Sequence, residues 1–500
     1  MQLATLFQKL SALEPQSQAY NRLNINNLSI DSRTISHHDV FIALTGSQQH
    51  GLYFAEQAIN KGAAAILYDP EQDGRHLAST ISAIPTIAVP NLSTQLGLIA
   101  ANFYGWPTDA LTLVGITGTN GKTSCTQFLH QLTEHSGVIG TLGWGDRQQL
   151  HATQHTTPDA LTLQKIFSSF KNNHQHTVFM EVSSHAISQH RTSGLPFEGI
   201  VFTNITRDHL DYHLTFSAYC NAKLQLLDTP DLRFVVMNLD DELASKIISR
   251  TPATAILWST SCTGKTLHTA TSLVATQLRQ TPTGIAFDVH LDQQQHHLSL
   301  PLYGLFNVSN CLQVLAVLLA KGMSFSVACQ QLKNLQPIQG RMERLGGHDQ
   351  PHIVIDYAHT PDALEKALSS LRAHCQHRLW LVFGCGGNRD QGKRPLMGEC
   401  ASRFADQIIL TDDNPRDEAS EQIIADIMTG CEHQKTRVIA NRELAIHYAI
   451  AHASPKDCIL IAGKGHEDYQ ESAGERFPFS DKECALHALT QTYPALGQIT

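Results

Sequence analysis

A glycine-rich turn between an apolar strand and a helical segment limits what this chain can fold into. Residues 115–124 read Gly-Ile-Thr-Gly-Thr-Asn-Gly-Lys-Thr-Ser; they follow the apolar run Leu111–Val114 and precede the helix-like segment Cys125–Thr133. Such a turn points several backbone N–H groups at one place, and the helix dipole adds partial positive charge there. Lys122 can reach terminal phosphates, and the hydroxyl groups of the next two residues can hold Mg²⁺. The turn therefore predicts an α/β unit that binds a nucleoside triphosphate.

The turn differs at one position from the general phosphate-binding loop. That pattern has a glycine five residues before the glycine of its Gly-Lys pair, and this chain has Ile116 there. The loop is therefore a variant, which argues against ordinary motor proteins and GTPases.

Composition narrows the class of protein. A chain of 500 residues predicts about three domains. The net charge is −9 and no dense run of Lys and Arg occurs, which argues against a nucleic-acid partner. The longest apolar stretch, Cys311–Ala320, is too short to cross a bilayer. The eleven cysteines are scattered without a CxxC pair, as is typical of free thiols in a reducing cytoplasm. We therefore expect a cytoplasmic protein without membrane insertion.

Short apolar runs alternate with helical patterns along most of the chain, which predicts an α/β fold with mostly parallel sheets. We expect a small N-terminal α/β domain (1–88), a central domain with the phosphate-binding turn (89–336) and a C-terminal Rossmann-like domain (337–500). Residues 251–302 indicate an antiparallel extension. The predicted strands are Val40–Leu44, Ala63–Tyr68, Thr86–Val89, Leu111–Ile116, Thr177–Val182, Gly199–Asn204, Arg233–Asn238, Ile353–Asp356, Leu379–Phe383, Gln407–Thr411, Arg437–Ala440 and Cys458–Ala462.

Polar residues follow several central strands, where ligands of α/β sheets bind. Glu181 ends one strand, and its carboxylate suits Mg²⁺. Residues 203–213 hold two aspartates and two histidines, including His209. A metal site, a phosphate-facing loop and a hydrogen-bonded loop are all compatible with this segment. Lys223, in a helical stretch, reads on its own as a solvated side chain. Asn310 can cap the helix Cys311–Ala320 or contact a nucleotide.

The C-terminal strands are followed by charged residues that can hold an amino acid. Arg389 and Arg416 each follow a strand and a turn, and Glu467 follows the last predicted strand. The guanidinium groups suit a carboxylate, and the glutamate suits an amine. Unrelated surface loops are the alternative.

The order of these motifs resembles the Mur ligases of peptidoglycan synthesis, from about residue 28 to 485. The motifs are Gly-Thr-Asn-Gly-Lys-Thr, Glu-Val-Ser-Ser-His, Asn-Ile-Thr-Arg-Asp-His-Leu-Asp, Phe-Asn-x-x-Asn, Gly-Arg-Met-Glu, Asp-Tyr-Ala-His-Thr-Pro, Asp-Asn-Pro-Arg and Gly-Lys-Gly-His-Glu. Ile116 also fits, because the loop of that family has this form. The resemblance implies an ATP-dependent ligase that adds meso-2,6-diaminopimelate to the D-glutamyl γ-carboxylate of UDP-N-acetylmuramoyl-L-alanyl-D-glutamate through an acyl phosphate. It also implies Mg²⁺ and only small-molecule partners, and we expect a monomer.

The resemblance assigns roles to residues of this chain. The UDP end of the substrate would contact Ile30, Ser32, Ser47, Gln48 and Gln49. ATP would be bound by Gly118, Thr119, Asn120, Gly121, Lys122, Thr123, Ser124, Asn307, Arg341 and Asp356. The muramoyl dipeptide would contact Thr156, Thr157, Ser183, Gln189, Arg191 and Lys223. Diaminopimelate would contact Arg389, Asp413, Asn414, Pro415, Arg416, Gly463 and Glu467. Mg²⁺ would be held by Thr123, Glu181, His209 and Lys223, the lysine as a carbamate formed with CO₂. Catalysis would depend on Lys122, Glu181, His209 and Lys223.

Four other functions are compatible with parts of this pattern: a lysine-adding homologue, a folylpolyglutamate synthase, a regulatory nucleotide-binding protein and a motor-type NTPase. Asp-Asn-Pro-Arg argues against the first, and the N-terminal Asp31-Ser32-Arg33 segment argues against the second. A regulatory protein would tolerate the loss of Glu181, Lys223 or Arg389, and all three are present.

Overall fold

Three sheets made mainly of parallel strands follow one another along the chain, which confirms the predicted α/β class. The computed structural model describes residues 1–8, 10, 22–46, 49–153, 155–281, 284–347 and 349–493. Among them, no helix is long and apolar enough to cross a membrane.

The N-terminal sheet has four parallel strands in the order β1-β2-β3-β4. Its strands are β1 (Leu28–Ser29), β2 (Val40–Ala43), β3 (Ala65–Tyr68) and β4 (Thr86–Ala88), and its helices are α1 (Ala55–Asn60), α2 (Gly74–Ser79) and α3 (Leu92–Tyr104). Short 3₁₀ helices lie at Leu3–Phe7, Ser32–Thr34 and Gly51–Phe54. Leu92, Leu96 and Ile99 of α3 are buried in one core with residues of β2 and β3. The domain boundaries themselves stay predictions.

The central sheet has eleven strands in the order β15-β14-β13-β12-β11-β10-β5-β9-β6-β7-β8. The strands are β5 (Thr112–Thr117), β6 (Ser136–Gly140), β7 (Gly143–Gly145), β8 (Leu150–His151), β9 (Thr177–Glu181), β10 (Phe197–Phe202), β11 (Phe234–Asn238), β12 (Ile256–Ser261), β13 (Thr271–Thr281), β14 (Gly284–Leu291) and β15 (Gln294–Leu300). The pairs β13–β14 and β14–β15 are antiparallel, which confirms the predicted extension.

Helices pack on the central strands. They are α4 (Lys122–Leu132), α5 (Ala160–Asn172), α6 (Ser184–Ser188), α7 (Leu210–His213), α8 (Phe216–Leu224), α9 (Ala244–Arg250), α10 (Phe306–Ala320) and α11 (Phe325–Leu332), with 3₁₀ helices at Pro107–Ala110 and Gln225–Asp228. Val114 and Ile116 of β5 face α4 and α10 in one core, and both side chains are fully buried. Burial of such a side chain contributes about 1.5–3 kcal/mol.

The C-terminal sheet has six strands in the order β16-β17-β21-β18-β19-β20, of which only β16 pairs antiparallel. Its strands are β16 (Glu343–Gly346), β17 (His352–Asp356), β18 (Leu379–Phe383), β19 (Gln407–Leu410), β20 (Thr436–Val438) and β21 (Cys458–Ala462), followed by the hairpin β22 (Tyr469–Ser472) and β23 (Glu475–Pro478). The helices are α12 (Pro361–Arg372), α13 (Lys393–Phe404), α14 (Ser420–Met428), α15 (Arg442–His452) and α16 (Asp481–Thr492), with a 3₁₀ helix at His433–Lys435.

Two helices begin earlier than the sequence predicts. Helix α4 begins at Lys122, directly after Gly121, whose φ of +84° ends the turn. Helix α10 begins at Phe306, so Asn310 lies inside it and does not cap it. The prediction of a cap at Asn310 is therefore wrong, because the helix extends back through the polar residues that looked like its boundary.

Candidate active site

The turn after β5 depends on two glycines. Gly118 and Gly121 have φ values of +149° and +84°, which side chains rarely adopt. A Cβ on Gly118 would collide with Thr203, and one on Gly121 would lie 2.5 Å from Oδ1 of Asn310. The turn therefore presses its backbone against the end of β10 and the start of α10, so its N–H groups stay grouped at the end of α4.

Lys122 folds back over this turn. Its Nζ donates to the carbonyl oxygens of Gly118 at 2.8 Å and Thr119 at 2.9 Å. Burial lowers the pKa of Lys122 from its ordinary value, although Glu181 opposes the change. Only neutral oxygens accept these two hydrogen bonds, so the ammonium group can exchange them for a phosphate.

Glu181, the last residue of β9, is fully buried beside the turn. Its Oε2 accepts from the hydroxyl of Thr123 at 3.0 Å, and its Oε1 accepts from the backbone N–H of Thr141 at 2.8 Å. A carboxylate next to a hydroxyl fits the oxygen preference of Mg²⁺. Within the described part of the chain, no three His, Cys, Asp or Glu side chains form a ready cage for a metal.

Lys223 on α8 is 1% exposed, so its interpretation as a solvated side chain is wrong. Its Nζ donates to the carbonyl oxygen of Gly118 at 2.9 Å and lies 4.7 Å from the ring centroid of Tyr219. No carboxylate among the described residues forms an ion pair with it. Burial, and then the charge of Lys122, lower the pKa of Lys223 well below its ordinary value. An uncharged amine is the form that can react with CO₂, so this lysine fits the carbamate.

Lys122 and Lys223 meet at one atom. Both Nζ atoms donate to the carbonyl oxygen of Gly118, although the two lysines are far apart in sequence. The ammonium group of Lys122 and the N-terminus of α4 make this place positive, which suits a phosphate.

His209 stands next to these lysines with a φ of +55°. Its Nε2 lies 3.4 Å from Oδ2 of Asp208, and its ring centroid lies 4.7 Å from that of His185. Burial lowers the pKa of His209 to about 3, in spite of Asp208. The imidazole is therefore neutral, which is the form that binds metals.

The residues expected to contact the dipeptide lie together beyond Glu181. Arg191 donates to Oε1 of Gln189 at 2.6 Å and to the carbonyl of Thr157 at 2.8 Å. The hydroxyl of Thr157 donates to the Glu181 carbonyl at 2.8 Å, and it accepts from the N–H of Ser183 at 3.1 Å. The hydroxyl of Thr141 donates to the hydroxyl of Thr156 at 3.2 Å.

The C-terminal unit contacts the phosphate-binding turn directly. Arg341 donates to the hydroxyl of Thr123 at 2.8 Å, and its guanidinium lies 4.6 Å from the ring centroid of Tyr357. Asn120 donates to Asp362 at 3.0 Å. These contacts join residues more than two hundred positions apart, so motif spacing could not predict them.

A cavity of about 340 Å³ opens where these units meet, within the size range of small-molecule sites. Its lining includes most residues predicted to bind a nucleotide: Asn120, Gly121, Ser124, Asn307, Arg341 and Asp356. A second cavity of about 460 Å³ shares Ser124, Asn307 and Arg341 with it. Burial raises the pKa of Asp356, whose carboxylate accepts from the N–H of Met342 at 2.8 Å.

The residues predicted to hold an amino acid surround the ends of β18, β19 and β21. Asn414 donates to Oε2 of Glu467 at 2.9 Å. Arg416 donates to the Gly387 carbonyl at 2.8 Å and lies 3.3 Å from a carboxylate oxygen of Glu471. Asp413, Pro415 and Gly463 are buried among them.

Arg389 is exposed and faces the central unit. Burial, followed by neighbouring charges that include Arg389, lowers the pKa of His185 to about 4. Asp390, the next residue, forms an ion pair with Arg207 at 3.4 Å. Arg389 and Asp390 therefore lie on the side of the C-terminal unit that meets the central unit.

The residues predicted to contact the UDP end of the substrate lie in the N-terminal unit. Ser32 is buried and donates to Gln57 at 2.6 Å, whereas Ile30 and Gln49 are exposed. Ser47 and Gln48 lie outside the described residues.

Three residues that hydrogen-bond to predicted site residues were assigned no role from the sequence. Thr141 contacts Glu181, Asp362 contacts Asn120, and Lys464 contacts Asn414. Lys464 stands inside the Gly-Lys-Gly-His-Glu motif, so that signal was available, whereas nothing local marks Thr141.

Comparisons with known proteins show what the whole chain is similar to. Family models described as the Mur ligase catalytic domain, the Mur ligase middle domain and the Mur ligase glutamate ligase domain match residues 24–104, 116–318 and 340–465. A relative from Pseudomonas aeruginosa named UDP-N-acetylmuramoyl-L-alanyl-D-glutamate–2,6-diaminopimelate ligase is 44% identical, and the match covers 96% of this chain and 98% of the relative. A relative of the same name from Coxiella burnetii is 43% identical, with 93% and 96% covered.

A solved structure under that enzyme name has a TM-score of 0.65 and 34% identity, and the match covers 94% of this chain and 96% of the other.

Proposed function

The chain belongs to the Mur ligase family, and from this we infer that it catalyses the reaction for which its relatives are named. It is an ATP-dependent ligase that joins meso-2,6-diaminopimelate to the D-glutamyl γ-carboxylate of UDP-N-acetylmuramoyl-L-alanyl-D-glutamate in peptidoglycan synthesis. One observation at the site supports this proposal most strongly. The Nζ atoms of Lys122 and Lys223 both donate to the carbonyl oxygen of Gly118, next to a cavity that residues of the C-terminal unit help to line.

The proposed reaction has two steps. An oxygen of the γ-carboxylate attacks the γ-phosphorus of ATP, which forms an acyl phosphate and releases ADP. The amine of diaminopimelate then attacks the acyl carbon, loses a proton and expels phosphate, which keeps the attacking oxygen. Lys122 and the N-terminus of α4 hold the phosphates, and Arg341 connects this place to the C-terminal unit. Contact between the two units keeps water from the acyl phosphate.

Two metal positions are proposed from the donor groups. Thr123 and Glu181 would hold one Mg²⁺, and His209 with a carbamate on Lys223 would hold the other. When bound, Mg²⁺ neutralises charge on the phosphates and on the attacking carboxylate.

All eleven cysteines are free, which supports the cytoplasmic location proposed from the sequence. The monomeric state stays a prediction.

One assay tests the proposed function. Phosphate release is measured with ATP and UDP-N-acetylmuramoyl-L-alanyl-D-glutamate, with and without diaminopimelate or lysine. We expect release, together with the tripeptide product, when diaminopimelate is added. Equal use of lysine would contradict the proposed selectivity, and release without any amino acid would favour a simple NTPase.

Arg416→Ala is expected to raise the KM for diaminopimelate about 30-fold or more and to leave the KM for ATP unchanged. The distal carboxylate of diaminopimelate, which lysine lacks, would lose its charged partner. Removing one partner of such a charge pair costs about 2–5 kcal/mol of binding free energy. Each 1.4 kcal/mol or so weakens binding about tenfold. Steady-state kinetics with each substrate varied in turn would measure this.

Arg403→Ala is the matched control, because that side chain is 73% exposed in the same unit. An unchanged KM for diaminopimelate in Arg416→Ala, or an equal rise in the KM for ATP, would contradict the assignment of Arg416.

A further inference from the structure

A fully buried lysine lies behind two residues of the proposed amino-acid site. Lys464 is 0% exposed, and its Nζ donates to Oδ1 of Asn414 at 3.0 Å and to Oε2 of Glu467 at 3.1 Å. The same ammonium group lies 5.5 Å from the ring centroid of Tyr469. Lys464 is thus too deep to meet a substrate, yet it contacts two side chains that are proposed to meet one.

The hydrogen bonds of Asn414 determine which way its amide points. Oδ1 accepts from Nζ of Lys464 and from the backbone N–H of Glu471, and these two groups can only donate. Nδ2 donates to the carboxylate of Glu467, which can only accept when ionised. Both lone pairs of the amide oxygen are therefore occupied. The second N–H of Asn414 has no acceptor among the described residues.

Asn414 lies two residues before Arg416, on the turn that follows β19. Glu471 connects the two, because its backbone N–H holds Asn414 and its carboxylate lies 3.3 Å from Nε of Arg416. An amide N–H beside an arginine favours a carboxylate and disfavours an ammonium group. A reversed amide would present an oxygen at this place instead.

We propose that Lys464 is a positioning residue that holds Asn414 and Glu467 so that the amide N–H meets the carboxylate of the incoming amino acid. The proposal rests on the proposed function, since it concerns the same substrate. It extends that function by naming what orients the recognition group. Glu467 is held by the same ammonium group, so one buried cation places both the donor for the carboxylate and the acceptor for the amine.

Lys464→Met in the full chain tests this, because methionine keeps most of the volume and loses the donor. Hydrogen bonds to charged groups contribute about 1.5–3 kcal/mol. We expect the KM for diaminopimelate to rise about tenfold to a hundredfold, and the preference for diaminopimelate over lysine to fall. The KM for ATP should change less than about twofold. Lys456→Met, at an exposed lysine of the same unit, should match the unmodified enzyme.

A double-mutant cycle separates positioning from a general effect on folding. If Lys464 acts through Asn414, then Lys464→Met should add little to the rise in KM already caused by Asn414→Ala. Fully additive effects would overturn the proposal, as would an unchanged KM for diaminopimelate or an equal rise in the KM for ATP. If Lys464→Met does not fold, Lys464→Gln, which lacks the charge and cannot hold both acceptors as the ammonium group does, should still raise the KM for diaminopimelate and leave that for ATP within about twofold. No rise in that variant would also overturn it.

The two hypotheses fail in different ways. If the unmodified enzyme does not use diaminopimelate, the proposed function is wrong. If it does, and Lys464→Met has the same KM, only the positioning role is wrong.

Discussion

Lys122→Ala is expected to lower kcat about a thousandfold and to stop the formation of ADP. The reaction brings an anionic carboxylate up to an anionic triphosphate. Two unit charges 4 Å apart repel by about 4 kcal/mol at an effective dielectric constant of about 20. Since about 1.4 kcal/mol of barrier is tenfold in rate, one lost compensating cation accounts for about three orders of magnitude. The Nζ of Lys122 lies on the turn that would receive the phosphates.

The measurement is ADP formation in a single turnover with saturating substrates. Lys333→Ala is the control, because Lys333 is exposed on the same unit and should keep full activity. Thermal unfolding of both variants shows that the fold is intact. A Lys122→Ala enzyme that forms ADP at the ordinary rate would rule out the phosphate role.

Lys223→Ala is expected to lose nearly all activity, by about a thousandfold, and to regain part of it with added short carboxylates. The carbamate would change a buried amine into an anion that helps to hold a second Mg²⁺. Without the carbamate, that charge is missing from the place where phosphoryl transfer occurs. Removing one electrostatic contact to the transition state lowers kcat about a hundredfold to a thousandfold. Acetate or formate can enter the space that the side chain leaves and supply a carboxylate.

A second readout for Lys223 does not depend on activity. In bicarbonate enriched in carbon-13, the unmodified enzyme should show a carbamate signal by nuclear magnetic resonance. The signal should be absent from Lys223→Ala and present in Lys246→Ala, where the exposed Lys246 is the control. A fully active Lys223→Ala enzyme would end the carbamate hypothesis.

Several elements follow from local sequence, and the reason is visible in particular strands. The bounds predicted for β18 and β21, Leu379–Phe383 and Cys458–Ala462, match the structure. Both strands are buried on both faces, so each is a continuous apolar run between polar turns. Gly463 and Glu467 follow β21 and therefore lie at the carboxyl end of that strand, where the sequence predicts ligands to bind.

Burial of side chains on short helices could not be predicted in this way. Helix α8 carries Lys223 in an ordinary helical sequence, and only the packing of that helix against the turn buries the amine. The contacts Arg341–Thr123 and Asn120–Asp362 likewise depend on how two units meet. The resemblance to a family indicated Lys223, Arg341, Thr123 and Asn120 but not Asp362, and the hydrogen bonds of all five come from the structure.

Oxygen-18 transfer tests the central claim most directly, because the claim is that the γ-carboxylate and ATP react with each other before the amine does. The substrate is prepared with oxygen-18 in its D-glutamyl γ-carboxylate, and the released phosphate is examined by mass spectrometry. We predict that each phosphate released with diaminopimelate carries one labelled oxygen. Unlabelled phosphate, released while the tripeptide forms, would contradict the account.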